Sequence, residues 1–248
     1  MSGSSPYPGK LGKHEREQDV PPILRVGRTD PFYLEQFKAL RAKLEHKVDE
    51  GKMKVLAITS AIAGEGKTLS SVNLAINLAS AGRRKILLID VDLRKSDLAR
   101  GLDIDPVPGL REFLGGSGVV LKDIVRNTPV PGFYVVPGGK TMADPSPLLA
   151  AEKIRYFLKK VREQFDVILL DTPPILPVAD TLSLRDQVDG FIFLFRAGFT
   201  PYTMLRQALE ELGEANVLGV VMNGIEPQKQ KYYQRYYGKY YQGSKTSE

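Results

Sequence analysis

The 248 residues carry 35 Lys and Arg against 29 Asp and Glu, a formal net charge of +6, with 42% hydrophobic and 26% charged residues; that is the balance of a folded, water-soluble chain, not a disordered one. The absence of Cys excludes disulfides, thiolate zinc sites, iron–sulfur clusters and cysteine nucleophiles, and with only His14 and His46 a histidine-based triad or metal site is not expected. Apolar runs such as 190–195 and 167–170 fall far short of the ~20 residues that span a bilayer.

The first ten residues contain no hydrophobic h-region, so no signal peptide is expected and the cytoplasm is the expected compartment. Residues 1–29, rich in Gly, Ser, Pro and mixed charge, read as a flexible arm, with 20–26 a segment able to dock. Asp30-Pro31 has the form of an N-cap followed by proline in the first helical turn. Phe37, Leu40 and Leu44 follow at helical spacing, which predicts an amphipathic helix over 31–48.

Short β-rich apolar runs then alternate with helices. Strands are predicted at 55–59, 86–90, 133–136, 167–171, 190–195 and 217–222. Helices are predicted at 67–81, at 147–163 (Ser146 as cap, Pro147 in the first turn) and at 201–213 (Thr200 as cap). Buried strands separated by helical crossovers define an α/β fold, a mostly parallel central sheet with helices on both faces. No repeat or second core is visible, so 30–226 reads as one domain and 227–248 as a tail.

The first strand runs into Ser60-Ala61-Ile62-Ala63-Gly64-Glu65-Gly66-Lys67-Thr68 and a helix begins. A strand, a glycine-rich loop and Gly-Lys-Thr opening a helix form a P-loop, in which backbone amides cradle the phosphates, Lys67 reaches the β- and γ-phosphates and Thr68 ligates Mg²⁺. Ala61 stands where the strict pattern has Gly. Two further strands end in carboxylates, Asp90-Val91-Asp92-Leu93-Arg94 and Asp171-Thr172-Pro173-Pro174. Such strand ends converge where open α/β sheets bind ligands, and with no imidazole or thiolate nearby the metal they suit is Mg²⁺.

With these motifs in place the chain resembles the bacterial tyrosine kinases (BY-kinases) of capsule and exopolysaccharide export, P-loop relatives of the MinD/ParA ATPases. The likeness covers Walker A at 63–68, the Asp-x-Asp-x-Arg of Walker A′ at 86–94 and Walker B at 168–174. It extends to Pro137-Gly138-Gly139 and to Asp144-Pro145-Ser146-Pro147, where Asp144 replaces the usual Asn. The resemblance implies ATP binding by Ala63, Gly64, Glu65, Gly66, Lys67, Thr68, Leu69 and Asn223, and Mg²⁺ held by Thr68, Asp92 and Asp171. It implies catalysis by Lys67, Asp90, Asp92 and Asp171, with Asp90 as proton acceptor, a division from Asp92 that could be reversed. Arg94 matches the family in a structural or inter-subunit role. MinD and ParA carry a lysine early in the P-loop that crosses a sandwich dimer; here that position is Ile62. A non-kinase MinD/ParA-like ATPase switch is the rival reading.

Glu35, Lys38 and Arg41 resemble the family's Glu-x-x-Arg-x-x-Arg motif, which links subunits into a ring; at i, i+3 and i+6 they lie near one helix face. Lys38 lacks the bidentate fork of Arg. Six of the eleven tyrosines, Tyr232, Tyr233, Tyr236, Tyr237, Tyr240 and Tyr241, fall in the tail, which from Pro227 on lacks Leu, Ile, Val, Met and Phe. The tail reads as an aromatic packing face, a basic-aromatic stacking surface for single-stranded nucleic acid, or a mobile phosphoacceptor; the last is its role in BY-kinases. The implied partners are further copies of the chain, a membrane chain-length regulator that activates it and holds it at the inner face of the membrane, and a cognate phosphatase. The basic residues are spread out, so the net charge alone does not call for nucleic acid.

Overall fold

The computed structural model describes residues 31–50, 53–82 and 84–225. The arm 1–29, the Asp30 cap and the tyrosines of 227–248 lie outside the described residues. A helix, α1 (Pro31–Asp49), precedes β1 (Val55–Ser60), α2 (Lys67–Ser80) and β2 (Ile86–Asp90). Three short helices follow, α3 (Leu98–Leu102), α4 (Leu110–Gly115) and α5 (Leu121–Ile124), then β3 (Arg126–Asn127) and β4 (Phe133–Val136). The chain continues through α6 (Ser146–Ala150), α7 (Glu152–Arg162), β5 (Val167–Asp171), β6 (Gly190–Arg196), α8 (Tyr202–Leu212) and β7 (Val217–Asn223).

The seven strands form one sheet in the order β3-β4-β2-β5-β1-β6-β7, parallel throughout except for the two-residue β3, which pairs antiparallel to β4. The central strands are buried on both faces, and their alternate residues feed two separate cores. Leu56, Ile58, Ile86, Leu88, Leu169 and Ile192 pack on the side of α1 and α2, joined by Phe37 and Leu44 of α1. Val55, Ala57, Leu87, Ile89, Ile168 and Phe191 pack on the opposite side with Leu149, Phe157 and Val161 of α6 and α7. No helix among the described residues is long and apolar enough to cross a membrane.

The predicted helix over 147–163 is two helices, broken at Ala151, whose backbone is extended (φ −75°, ψ 158°). In a continuous helix Leu149 and Ile154 would point about 140° apart at 100° per residue. The break re-phases the chain so that both enter the same core. The two predicted caps are also displaced, since α6 already includes Ser146 and α8 begins only at Tyr202 after Pro201. The Ser146 and Thr200 hydroxyls are used elsewhere, at the C-terminal edge of the sheet.

Candidate functional site

Three of the strands run one residue past their predicted ends, and each added residue is polar: Ser60 on β1, Arg196 on β6 and Asn223 on β7. All three touch the glycine-rich loop. Ser60 Oγ donates to Ile62 O at 2.8 Å and accepts from Lys67 Nζ at 3.0 Å. Asn223 Nδ2 donates to Glu65 O at 2.8 Å, and Arg196 Nη1 lies 3.5 Å from Gly64 O. The Glu65 carboxylate, fully buried, accepts from Ile62 N at 2.7 Å and from the Thr200 hydroxyl. The loop is thus shaped from within by Glu65 and from outside by β6 and β7.

Gly64 and Gly66 have φ of 83° and 92°, a backbone that side chains rarely adopt. A Cβ on Gly66 would also stand 2.3 Å from Asn223 Nδ2. Gly66 opens α2 with no side-chain cap, so the first amides of a 14-residue helix remain for an anion. The predicted residues Ala63, Thr68 and Leu69 flank it on the same loop and helix turn.

The carboxylates gather beside Lys67. Asp90 and Asp171 are register partners at the ends of β2 and β5, 1% and 2% exposed. Asp90 Oδ2 accepts from Ser96 Oγ at 2.6 Å and Oδ1 from Asp92 N at 3.1 Å. Burial, then the neighbouring Asp171, pushes Asp90 well above the usual carboxylate range. Asp171 Oδ1 accepts from Ser71 Oγ at 3.1 Å, and Thr68 bonds the same carboxylate. Burial raises Asp171 to about 6 against the opposing pull of Thr68, Lys67 and Ser71. Asp92 is only partly buried; desolvation raises it, while the Lys95 and Arg94 amides and Lys67 hold it back. Burial pushes the Lys67 ammonium down, and Asp171, Asp92 and Glu65 pull it up again.

No group of three or more Asp, Glu or His among the described residues forms a metal cage of its own. Thr68, Asp92 and Asp171 offer two carboxylates and a hydroxyl beside a helix start. That oxygen-only donor set fits a hard cation completing its shell with phosphate oxygens and water. Buried carboxylates whose proton affinity is raised are the electrostatic complement of such a cation.

Arg94 makes its side-chain hydrogen bonds outside the Lys67 cluster. Its guanidinium grips Asp180 with two prongs, Nε to Oδ2 at 2.6 Å and Nη2 to Oδ1 at 3.1 Å, and Nη1 donates to Ala143 O. Asp180 is 1% exposed and also accepts from Ser146 Oγ at 2.6 Å. The Pro137-Gly138-Gly139 stretch packs close by: a Cβ on Gly138 would lie 2.7 Å from Ser96 Oγ, the group that holds Asp90. Ser60, Ser71, Ser96, Asp180 and Thr200 are the site residues that motif reading missed. Only Asp180 carried a signal, as an acid nine residues past Asp171 in the same strand-end segment.

The helix motif is placed apart from this cluster. Lys38 Nζ pairs with Glu35 Oε1 at 2.5 Å on an exposed face. Arg41 is tucked against α2, donating to Asn77 O at 3.2 Å and lying 3.6 Å from Glu45 Oε2. Two of the three are therefore available to a neighbour, and the third is engaged within the chain.

A parallel sheet whose first strand leads through Gly64, Glu65 and Gly66 into Lys67 and Thr68, with acids ending β5 beside it and β2 beyond, defines the class of P-loop ATPase folds. The AAA-domain family matches residues 53–188. The chain is 36% identical over 194 residues to the tyrosine-protein kinase CpsD of Streptococcus agalactiae, covering 77% of this chain and 82% of that one. It is 31% identical over 207 residues to the tyrosine-protein kinase ptk of Acinetobacter johnsonii, covering 83% of this chain but spanning only 28% of that relative's length. Among solved structures, the kinase domain of the Escherichia coli tyrosine kinase ETK superposes with a TM-score of 0.78 at 28% identity, over 88% of this chain and 84% of that one. The septum site-determining protein MinD of Pyrococcus horikoshii, complexed with Mg-ADP, superposes with a TM-score of 0.58 at 25% identity, over 72% and 76%. The chain belongs to the bacterial tyrosine-kinase family.

Proposed function

We propose that this chain is an ATP-dependent protein-tyrosine kinase that phosphorylates, in trans, the tyrosine cluster Tyr232, Tyr233, Tyr236, Tyr237, Tyr240 and Tyr241 of another copy, and so regulates exopolysaccharide or capsule synthesis and export. The observation that carries this is the gathering of Lys67, Asp90, Asp92 and Asp171 at one strand-end edge, two of the acids buried and in register. The functional units are the arm 1–29, the catalytic domain 30–226 and the acceptor tail 227–248. Partners follow from the same reading: further copies through Glu35, Lys38 and Arg41, a membrane activator that recruits the chain to the inner face of the membrane, and a phosphatase.

ATP places its phosphates against the amides of 63–69, and Lys67 leaves Ser60 Oγ to neutralise charge developing between the β- and γ-phosphates. Thr68, Asp92 and Asp171 would hold Mg²⁺, which when bound supplies positive charge against the phosphate oxygens. Asn223, at the end of β7, reaches the nucleotide from the far side of the loop. A phenol has a pKa near 10, so its attack on the γ-phosphoryl needs a proton acceptor. Asp90 fills that role: Ser96 Oγ already bonds its Oδ2, and the incoming phenol takes the place of that hydroxyl. The raised proton affinity of Asp90 suits it to receive the proton.

Incubation of the purified chain with γ-labelled ATP tests the reading. Label on phosphotyrosine, lost on deleting 227–248, is expected. ATP hydrolysis with no phosphotyrosine would instead establish an ATPase switch of the MinD kind.

A further inference from the structure

We infer that the Arg94–Asp180–Ser146 cluster is a positioning lock that holds the loop whose Arg94 amide orients the Asp92 carboxylate, and thereby tunes the affinity of the site for Mg²⁺. The inference rests on the reading of the site as a Mg²⁺-nucleotide site and goes beyond it, since Arg94 and Asp180 bond to each other, to Ala143 O and to Ser146.

Three chain segments meet at Asp180. Asp92 and Arg94 lie on the loop leaving β2, Ser146 opens α6, and Asp180 lies on the loop leaving β5, nine residues after Asp171. The Asp180 carboxylate accepts three hydrogen bonds, two from one guanidinium and one from a hydroxyl. A planar two-pronged contact fixes orientation as well as distance, which a single ammonium cannot do. Arg94 also donates to Ala143 O, and Met142 N donates to Leu93 O at 2.9 Å, so the segment before α6 is sewn to the same loop. The Asp92 carboxylate is bonded by the amides of Arg94 and Lys95, and its own amide donates to Asp90 Oδ1 at 3.1 Å. Beyond the strands Val91 N donates to Asp171 O at 2.8 Å, and the Arg94–Asp180 pair adds the side-chain tie that holds the stretch carrying the Arg94 amide.

The lock also has a charge logic. Asp92, Asp144 and Asp180 all face Arg94, so the guanidinium neutralises a group of acids that would otherwise repel. The Arg94 amide is the hydrogen-bonded partner behind Asp92, and loss of such a partner costs ~10–100-fold in metal affinity or activity.

The test uses the full chain, with Mg²⁺ titrated at fixed ATP and nucleotide binding followed by calorimetry, alongside a second series in EDTA. Asp180→Asn is expected to raise the Mg²⁺ concentration for half-maximal nucleotide binding about tenfold, and Arg94→Lys to shift it in the same direction. Affinity for nucleotide in EDTA should stay within about twofold, because Lys67 and the loop amides do not depend on the lock. In the nucleotide-free protein, hydrogen exchange at the Met142 amide should quicken. Ser146→Ala, which removes one of the three bonds and leaves the ion pair, should give a smaller shift and serves if Asp180→Asn fails to fold. An unchanged Mg²⁺ requirement in folded Asp180→Asn, or in Ser146→Ala if that is the variant that folds, overturns the lock. A wild-type chain that binds no nucleotide at any Mg²⁺ concentration overturns the site reading and the lock with it.

Discussion

Asp90 and Asp171 stand opposite one another in register on neighbouring parallel strands, both almost wholly buried, with Lys67 the cation beside Asp171. Two carboxylates placed so are a standing cost to the ligand-free fold. Asp171 is raised from 3.8 to about 6, so the folded state binds its proton more tightly than the unfolded one. The stability contributed by that proton is fully present below pH 3.8 and is lost as pH rises through about 6. Above that, the charged Asp171 costs at most about 3 kcal/mol. Asp171→Asn should therefore melt higher than the parent at pH 7.5 in EDTA and lose the advantage below pH 4.5. A variant that melts lower at pH 7.5 would show that Asp171 stabilises the fold.

The same substitution should abolish phosphoryl transfer, as should Lys67→Met, each by a hundredfold or more, on the order of removing a group that meets developing charge. Among the described residues Lys67 donates to Ser60 Oγ across the loop, so its loss leaves the core intact. Circular dichroism should match the parent while labelling disappears. Transfer at the parental rate in either variant would remove that residue from the machinery.

Gly66→Ala should be the most damaging single methyl in the loop. It places a Cβ 2.3 Å from Asn223 Nδ2 and forces a side chain onto a φ of 92°. Nucleotide affinity should fall at least tenfold, the backbone strain alone being of order 1–3 kcal/mol. Asn223→Gly removes the clash and a nucleotide contact together, so Gly66→Ala is measured against an Asn223→Gly background, where calorimetry should find the smaller loss that the φ alone imposes. A Gly66→Ala change without effect in that background would assign the whole loss to the clash with Asn223.

How far the site could be read from sequence is clearest at the strand ends. The predicted strands stop at or one residue past the last apolar position, so Ser60, Arg196 and Asn223 fell outside them, although each continues the ladder and touches the loop. Ser146 and Thr200 misled for a related reason. A hydroxyl before a proline has the pattern of an N-cap, and nothing local reveals that Asp180 and Glu65 claim those hydroxyls from distant loops. The sheet, the P-loop and the acids were legible because they rest on local periodicity and fixed spacing. The broken helix at Ala151 and the two-residue β3 were not, because core phasing and edge pairing decide them.

The α1 motif divides into two tests. Glu35 and Lys38 pair with each other on the surface, so replacing both with Ala should leave the melting temperature within a degree or so. In light scattering the unphosphorylated protein should shift towards monomer. Arg41→Ala removes a bond to Asn77 O and should cost about 1 kcal/mol of stability as well. An unchanged mass distribution in the Glu35/Lys38 variant would take that pair out of the assembly.

Phosphorylation of the tail should dissolve the assembly that produced it. From Pro227 to Ser247 the tail carries Lys229, Lys231, Arg235, Lys239 and Lys245 and no acidic residue, so it approaches an ATP-loaded site on a neighbour without acidic repulsion. Each phosphate adds about −1.5 to −2 charge, so three or four reverse the sign of the tail. The modified tail is then repelled by Asp90, Asp92, Asp171 and the phosphates of bound nucleotide, leaves the neighbour's site, and weakens the contact between subunits. Mixing a Lys67→Met chain with an active chain lacking 227–248 separates donor from acceptor. Phosphotyrosine should appear on the Lys67→Met chain, and with wild-type protein the mass should fall as label accumulates. An unlabelled Lys67→Met chain would exclude transfer in trans. A fully labelled wild-type protein that keeps its mass would exclude the charge switch, because the repulsion that should part the subunits would then be present without effect.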